Sequence, residues 1–239
     1  MIVGRGLLAS AFAPAFEGSS DWVIFASGVS NSGGNDPGEF LREESLLESW
    51  LKKAQAPLVY FSSCGLVNGD TVDTPYMCHK RRMESLVMTM EGTVILRLPQ
   101  VVGATDNPHT LMNYLRNKIV SGEHFDVWQF AERNIIDVDD VAAIAEELLR
   151  APAAVERVIN IAAEKSSPMT NIVHALEDVL GKQGNYSLVP RGKAMPLDSR
   201  GASAAARRLG IDLGDGYLKR TIAKYYVPST VVENMRYVR

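Results

Sequence analysis

The chain has 239 residues, 46% hydrophobic and 22% charged, with a formal net charge of −3; these are soluble globular proportions with room for one sizeable core, in one lobe or two. That balance argues against a nucleic-acid or anionic-membrane partner, and the two cysteines, Cys64 and Cys78, give no disulfide framework and fit a reducing, cytoplasmic setting. The opening MIVGRGLLAS lacks a charged stretch before its apolar run and does not read as a signal peptide, and no apolar run reaches the ~18 residues of a membrane span.

MIVG is a short apolar run ending in a glycine turn, and LLASAFAPAF has helical composition with Pro14 near its far end. Trp22–Gly28 is an apolar run of strand length, followed by the loop-like VSNSGGNDPG. Glu39–Ala54 is predicted as a helix: Phe40, Leu47, Trp50 and Leu51 share a face, with acids early and lysines late as the helix dipole favours. Leu58–Ser63 reads as a strand, MCHKRRMESLVMTM as a helix, and Thr93–Val102 as one strand ended by Gly103. TLMNYLRNKIV is helical and RNIIDV a short strand. Val141, Ile144, Ala145, Leu148 and Leu149 then recur at helical spacing. Arg157–Ala162 is a strand, and Ile172, Val173, Leu176, Val179 and Leu180 mark a helix stopped by Gly181. A last helix covers Tyr217–Tyr226. Strands that are apolar throughout belong to a sheet buried on both faces, and intervening helices imply parallel connections. The predicted class is α/β with a doubly wound parallel sheet.

Gly4-x-Gly6-x-x-Ala9 follows the first strand and opens a helix. Glycines there permit a tight turn and close backbone approach, and the helix N-terminus can face a pyrophosphate. A strand–helix turn that simply needed glycine is the competing explanation. The acid that such a fold places about 20 residues on, at the end of the second strand, is absent; Asp21 precedes its strand.

Tyr76 and Lys80 stand four residues apart, on one helix face. A nearby ammonium lowers a phenol's pKa and makes it a usable general acid or base. Tyr114 and Lys118 share that spacing. Context separates the pairs: Tyr76 follows a polar strand end, Ser62-Ser63-Cys64, at the sheet edge where α/β ligands bind, whereas Tyr114 lies among Leu111, Met112 and Leu115 and reads as a packing tyrosine. No histidine has metal-ligand spacing, and Asp137, Asp139 and Asp140 read as a helix start. The basic run HKRRME reads as a solvated helix face.

Taken in order, IVGRGLLAS, WVIFASG, FSSCGLVNG, PYMCHK, LRLPQVVG, RNIIDVDDVA, RVINIA and VPRGKAMPLDS…RRLGI resemble the extended short-chain dehydrogenase/reductase family, in its nucleotide-sugar epimerase/dehydratase/reductase branch. The resemblance covers nearly the whole chain. It implies a Rossmann-like dinucleotide-binding lobe over 1–105 and a substrate lobe over 106–239, with strand 157–162 returning to the sheet. It implies NAD or NADP held by Gly4, Arg5, Gly6, Leu7, Ala26, Ser27, Gly28, Tyr76, Lys80 and Pro99. Tyr76 would exchange a proton with the sugar, Lys80 would tune it and bind the nicotinamide ribose, and Ser63 or Cys64 would bond the reacting oxygen. Gln100, Arg133 and Arg191 would meet a nucleotide-sugar substrate, the arginines at its phosphates. A homodimer through helices 39–54 and 76–90, and a place in polysaccharide biosynthesis, are further implications.

Three departures from the family stand out. Two early strands and their helices are missing, and with them the ribose acid and adenine pocket. Gly65 and Leu66 occupy the positions of the dehydratases' Asp-Glu pair and cannot move a proton, which leaves keto-reduction or epimerisation. Asn68 replaces a usual tyrosine and the segment to Tyr76 is short. A fold kept for binding or assembly without turnover is the alternative expectation.

Overall fold

The computed structural model describes residues 1–53, 56–67, 74–150 and 157–227. Its elements begin with β1 (Ile2–Val3), α1 (Leu7–Phe16), β2 (Val23–Phe25), α2 (Pro37–Leu51), β3 (Leu58–Ser63), α3 (Pro75–Val87) and β4 (Val94–Leu98). Next come β5 (Gln100–Val102), α4 (Leu111–Ser121), β6 (Phe125–Trp128), β7 (Glu132–Arg133), β8 (Ile135–Asp137) and α5 (Val138–Leu149). The chain continues through β9 (Val158–Asn160), β10 (Ser167–Pro168), α6 (Met169–Leu180), β11 (Tyr186–Val189), α7 (Arg200–Arg208) and α8 (Tyr217–Tyr226). Asn68, the rest of the short segment before Thr74, and Ala54 lie outside the described residues.

Two compact units interleave along the chain. The first takes in Met1–Pro99, Val138–Ala162 and Leu197–Ile211. Its five strands run in the order β1-β2-β3-β4-β9, every pair parallel. The reason lies in the side chains. Val23–Phe25 is buried at every position and Leu58–Ser63 at all but the last, so both faces of these strands must be covered. On one face Phe25, Tyr60 and Ile95 pack with Leu47, Met83 and Val87. Fully burying an aliphatic side chain of this size contributes about 1.5–3 kcal/mol.

Capping fixes where the helices begin. Asp36 accepts a hydrogen bond from the Gly38 amide, with Pro37 opening α2. Thr74 accepts one from the Met77 amide, with Pro75 opening α3. Both follow the preference for a side-chain acceptor at the cap and proline just inside. The start at Pro75 puts Tyr76 in the first turn and Lys80 one turn later on the same face.

The second unit contains Gln100–Asp137, Ala163–Pro196 and Asp212–Arg239. Its core gathers Leu115, Ile119, Val127, Ile135, Ile172, Val173, Leu176 and Ile222. The unit boundary falls at Pro99, where the expectation was residue 105, and the chain then returns to the first unit twice, once with the segment that carries the expected strand 157–162 and once with Leu197–Ile211.

Two strand expectations need correction. Thr93–Val102 is two strands: β4 joins the first unit's sheet, while β5 pairs in parallel with β8 in the second. Pro99 stands between them and has no amide hydrogen to continue a ladder. RNIIDV is broken at Asn134, whose side chain bonds both the amide and the carbonyl of Ala163 at 3.0 Å; β7 pairs antiparallel with β10.

Candidate active site

β3 ends at Ser63, and the Ser63 hydroxyl accepts from the Gly65 amide at 3.1 Å, closing a short 3-10 turn over Cys64–Leu66. The same side chain lies close enough to the Tyr76 phenol to lower its pKa. Tyr76 is only 7% exposed and Lys80 2%. The Lys80 Nζ lies 5.8 Å from the centre of the Tyr76 ring. It donates to Glu43 Oε1 at 3.0 Å and to the Tyr60 hydroxyl at 3.0 Å. Gly28 closes this side: a Cβ there would sit 2.9 Å from Lys80 Nζ and 3.0 Å from Glu43 Oε1.

Glu43, on α2, is the residue that spacing arguments miss. It has no exposed surface. Besides Lys80 it accepts from the Tyr60 hydroxyl at 2.5 Å and the Val29 amide at 2.6 Å, and its Oε2 lies 2.9 Å from His79 Nε2. His79 in turn stacks on Phe40, ring centres 4.6 Å apart. One signal for Glu43 was present in the sequence. It stands three residues after Phe40 and four before Leu47, an acid on the apolar stripe of its helix.

The electrostatics follow from these contacts. Burial by itself would raise the Glu43 carboxyl; His79, the Lys80 charge, Tyr60 and the Val29 amide together overcome it and bring the pKa to about 2. Burial lowers Lys80, with Glu43 opposing. The two partners thus shift in senses of opposite consequence for stability. The carboxylate side governs, because Glu43 collects three donors besides Lys80. Tyr76 departs from expectation. Its phenol is raised, first by burial and then by the Glu43 charge, with the Ser63 hydrogen bond only partly offsetting them. Burial first, and then the Glu43 charge, outweigh the lowering expected from Lys80.

Other sequence candidates fall as follows. Cys64 has no exposed surface and its Sγ donates to the Arg97 carbonyl at 3.2 Å; burial pushes its thiol up to about 12. The structure therefore brings Ser63, and not the Cys64 sulfur, to Tyr76. Gly4 has φ +134°, and a Cβ would meet the Ala26 carbonyl oxygen at 2.3 Å. Gly6 is different: it caps α1 in extended conformation with open space around its missing Cβ, and no side chain caps that helix. Arg5 is exposed and Leu7 half-buried. Ser27 accepts from Arg42 through both its hydroxyl and its carbonyl, and Ala26 donates its amide to the Val3 carbonyl. Pro99 ends the first unit, while Gln100, Arg133 and Arg191 belong to the second. Arg133 donates to the Glu132 carbonyl, and burial pushes its pKa down. Tyr114 is 43% exposed, so its reading as a packing residue is corrected; Lys118 sits over its ring and pairs with Glu123.

A surface hollow of about 770 Å³ follows the free edge of β1, lined by Met1, Gly4, Arg5, Ser10, Glu17 and their neighbours. Tyr76 is not among its lining residues. Asp21, the acid nearest the expected ribose position, is exposed ahead of β2. Among the described residues no group of three His, Cys, Asp or Glu side chains could hold a metal, and no helix is long and apolar enough to cross a membrane.

No curated protein matches the sequence. Solved structures do resemble it. The UDP-glucose 4-epimerase of Thermus thermophilus, solved with NAD, is 16% identical, with TM-score 0.65 over 93% of this chain and 82% of that one. The UDP-glucose 4-epimerase of Bifidobacterium longum, solved with NAD⁺ and UDP, is 17% identical, with TM-score 0.66 over 97% and 83%. The dTDP-glucose 4,6-dehydratase of Bacillus anthracis str. Ames, solved with NAD, is 15% identical, with TM-score 0.65 over 91% and 74%. At these identities the likeness concerns the fold. Residues 10–162, well over half of the chain, match the NAD dependent epimerase/dehydratase family. With its parallel sheet and the Ser63–Tyr76–Lys80 cluster at the end of β3, the chain belongs to the NAD dependent epimerase/dehydratase family.

Proposed function

We propose that this protein is a nicotinamide-dinucleotide-dependent oxidoreductase or epimerase of a nucleotide-linked sugar. The observation that carries this reading is the meeting of Tyr76, Ser63 and Lys80 at the carboxyl end of β3, with the Gly28 backbone against Lys80. Ligands of open α/β sheets bind at that end. Tyr76 would exchange a proton with the substrate oxygen, Ser63 would orient that oxygen, and Lys80 would hold the adjoining ribose.

The residues present fit two parts of a dinucleotide. The uncapped N-terminus of α1, with open space at Gly6, suits a pyrophosphate; Gly4, Arg5 and Leu7 complete that turn. Ala26, Ser27, Gly28, Lys80 and Pro99 would serve the nicotinamide half. Among the described residues the adenosine end has no such counterpart, in keeping with the expectation that two early strands are missing. NAD or NADP would supply the hydride in this chemistry.

For the substrate, Arg133 supports a phosphate-bearing ligand. Its guanidinium is half-buried and depressed by desolvation, a cost that an anion would relieve. Arg191 and Gln100 join it in this proposal. Gly65 and Leu66 in place of proton-transferring residues disfavour dehydration. A homodimer through α2 and α3 belongs to the same reading, and light scattering would show the monomer mass of 26.2 kDa if it does not form.

A second reading keeps the fold for binding without turnover. One observation favours it: the Lys80 ammonium is already engaged by Glu43 and Tyr60. Titration with NAD(H) and NADP(H), by calorimetry or by quenching of the three tryptophans, separates the two. Binding of either supports the enzyme, and a folded protein that binds neither supports the second reading.

A further inference from the structure

Glu43 is the feature of this site that the dinucleotide reading does not use. Five groups face it or its lysine from every side. Tyr60 comes from β3, Lys80 and His79 from α3, the Val29 amide from the segment after β2, and Arg42 from its own helix. Glu84, further along α3, also acts on Lys80, but it is held by Arg97 through two hydrogen bonds. The Lys80 ammonium is therefore balanced 3.0 Å away by a carboxylate with no exposed surface. A lone cation beside a phenol favours the phenolate, whereas a cation already paired does so far less. The fixed carboxylate charge opposes the phenolate as well.

We propose that Glu43 is a positioning residue: by holding the Lys80 ammonium it keeps the Tyr76 phenol protonated, ready to donate its hydrogen to a substrate carbonyl. This rests on the dinucleotide-dependent reading above. In carbonyl reduction the carbonyl oxygen would take the Tyr76 proton as the carbonyl carbon receives a hydride from a reduced nicotinamide dinucleotide. The C=O π pair becomes the new O–H bond, the dinucleotide leaves oxidised, and Tyr76 regains its proton from water.

The test reads the phenol directly and needs no ligand. Tyrosinate absorbance is titrated for each protein and for its Tyr76→Phe counterpart, and the difference isolates Tyr76. In the wild type, Tyr76 stays protonated up to the alkaline unfolding transition. In Glu43→Gln its midpoint falls by about one to three pH units, the usual reach of a nearby charge. The double variant Glu43→Gln/Lys80→Met removes both members of the pair and leaves no unpaired buried charge, so it keeps the measurement available if the single variant does not fold; with the ammonium gone as well, its midpoint stays high. Ionisation of Tyr76 near neutrality in the wild type, no descent in Glu43→Gln, or a descent in the double variant, overturns the role of Glu43. Calorimetry of the wild type with NADH and NADPH runs alongside. No binding there sinks the dinucleotide reading while leaving the phenol result standing, and binding without a shift in Glu43→Gln sinks this inference alone.

Discussion

Two glycines in one turn make different predictions, and Gly6→Ala is the informative one. Gly6 lies at φ −81°, ψ −171°, an extended conformation open to any residue, with nothing within 4 Å of an added Cβ. Alanine at a helix cap costs under about 1 kcal/mol relative to glycine, and the stiffer unfolded chain returns about 0.4–1 kcal/mol of that. Folding should therefore barely change. Gly4→Ala meets the opposite situation, with φ +134° and the Ala26 carbonyl oxygen 2.3 Å and carbonyl carbon 2.6 Å from its Cβ. Backbone strain of that kind costs about 1–3 kcal/mol before any clash is added. In a chain of this size each kcal/mol moves the Tm by roughly 2–4 °C. Gly4 is thus required by the packing of β1 on β2 whether or not a dinucleotide binds, and only Gly6 reports on the ligand. A methyl at Gly6 would stand between the first peptides of α1 and a pyrophosphate, weakening NADH or NADPH at least about tenfold, or 1.4 kcal/mol. Urea unfolding and calorimetry on both variants decide the matter. Gly6→Ala that binds dinucleotide like the wild type, or that is destabilised as much as Gly4→Ala, refutes the reasoning.

Three further outcomes are expected. Glu43 has a folded pKa of about 2, below the ordinary carboxylate value, so its contribution is present above the unfolded value and lost as pH falls towards 2. The loss is on the order of 3 kcal/mol between about pH 5 and pH 2, read by urea unfolding, and Glu43→Gln/Lys80→Met should lack it. Tyr76→Phe should abolish turnover, whereas Tyr114→Phe, at a 43% exposed position, should keep activity and alter stability by no more than about 0.5 kcal/mol; equal losses would mean that the wrong tyrosine has been chosen. A thiol reagent should modify the exposed Cys78 quickly and Cys64 only on unfolding, since Cys64 is buried and its thiol is pushed up to about 12; rapid reaction of both would contradict the burial.

Local chemistry explains what was legible. Uninterrupted apolar runs at Val23–Phe25 and Leu58–Ser63 announced a doubly covered sheet, and Thr74-Pro75 announced the helix that aims Tyr76 and Lys80. What escaped was long-range. Lys80 and Glu43 are 37 residues apart, and no spacing rule links them, so the phenol was expected lowered where the structure raises it. Pro99 carried its signal in plain view. A proline in mid-strand argues against a continuous strand, yet its apolar neighbours outweighed it. Tyr114 sits among leucines in sequence, but its helix turns it outward while Met112 and Leu115 face in.

The central claim is that the Gly6 turn and the Lys80–Tyr76 pair serve one nicotinamide dinucleotide. A crystal structure of the protein with NADH tests it most directly. The account predicts the pyrophosphate at the N-terminus of α1 and the nicotinamide ribose at Lys80, beside the Tyr76 hydroxyl. A dinucleotide bound elsewhere, with Lys80 still shut between Glu43 and Tyr60, would contradict it.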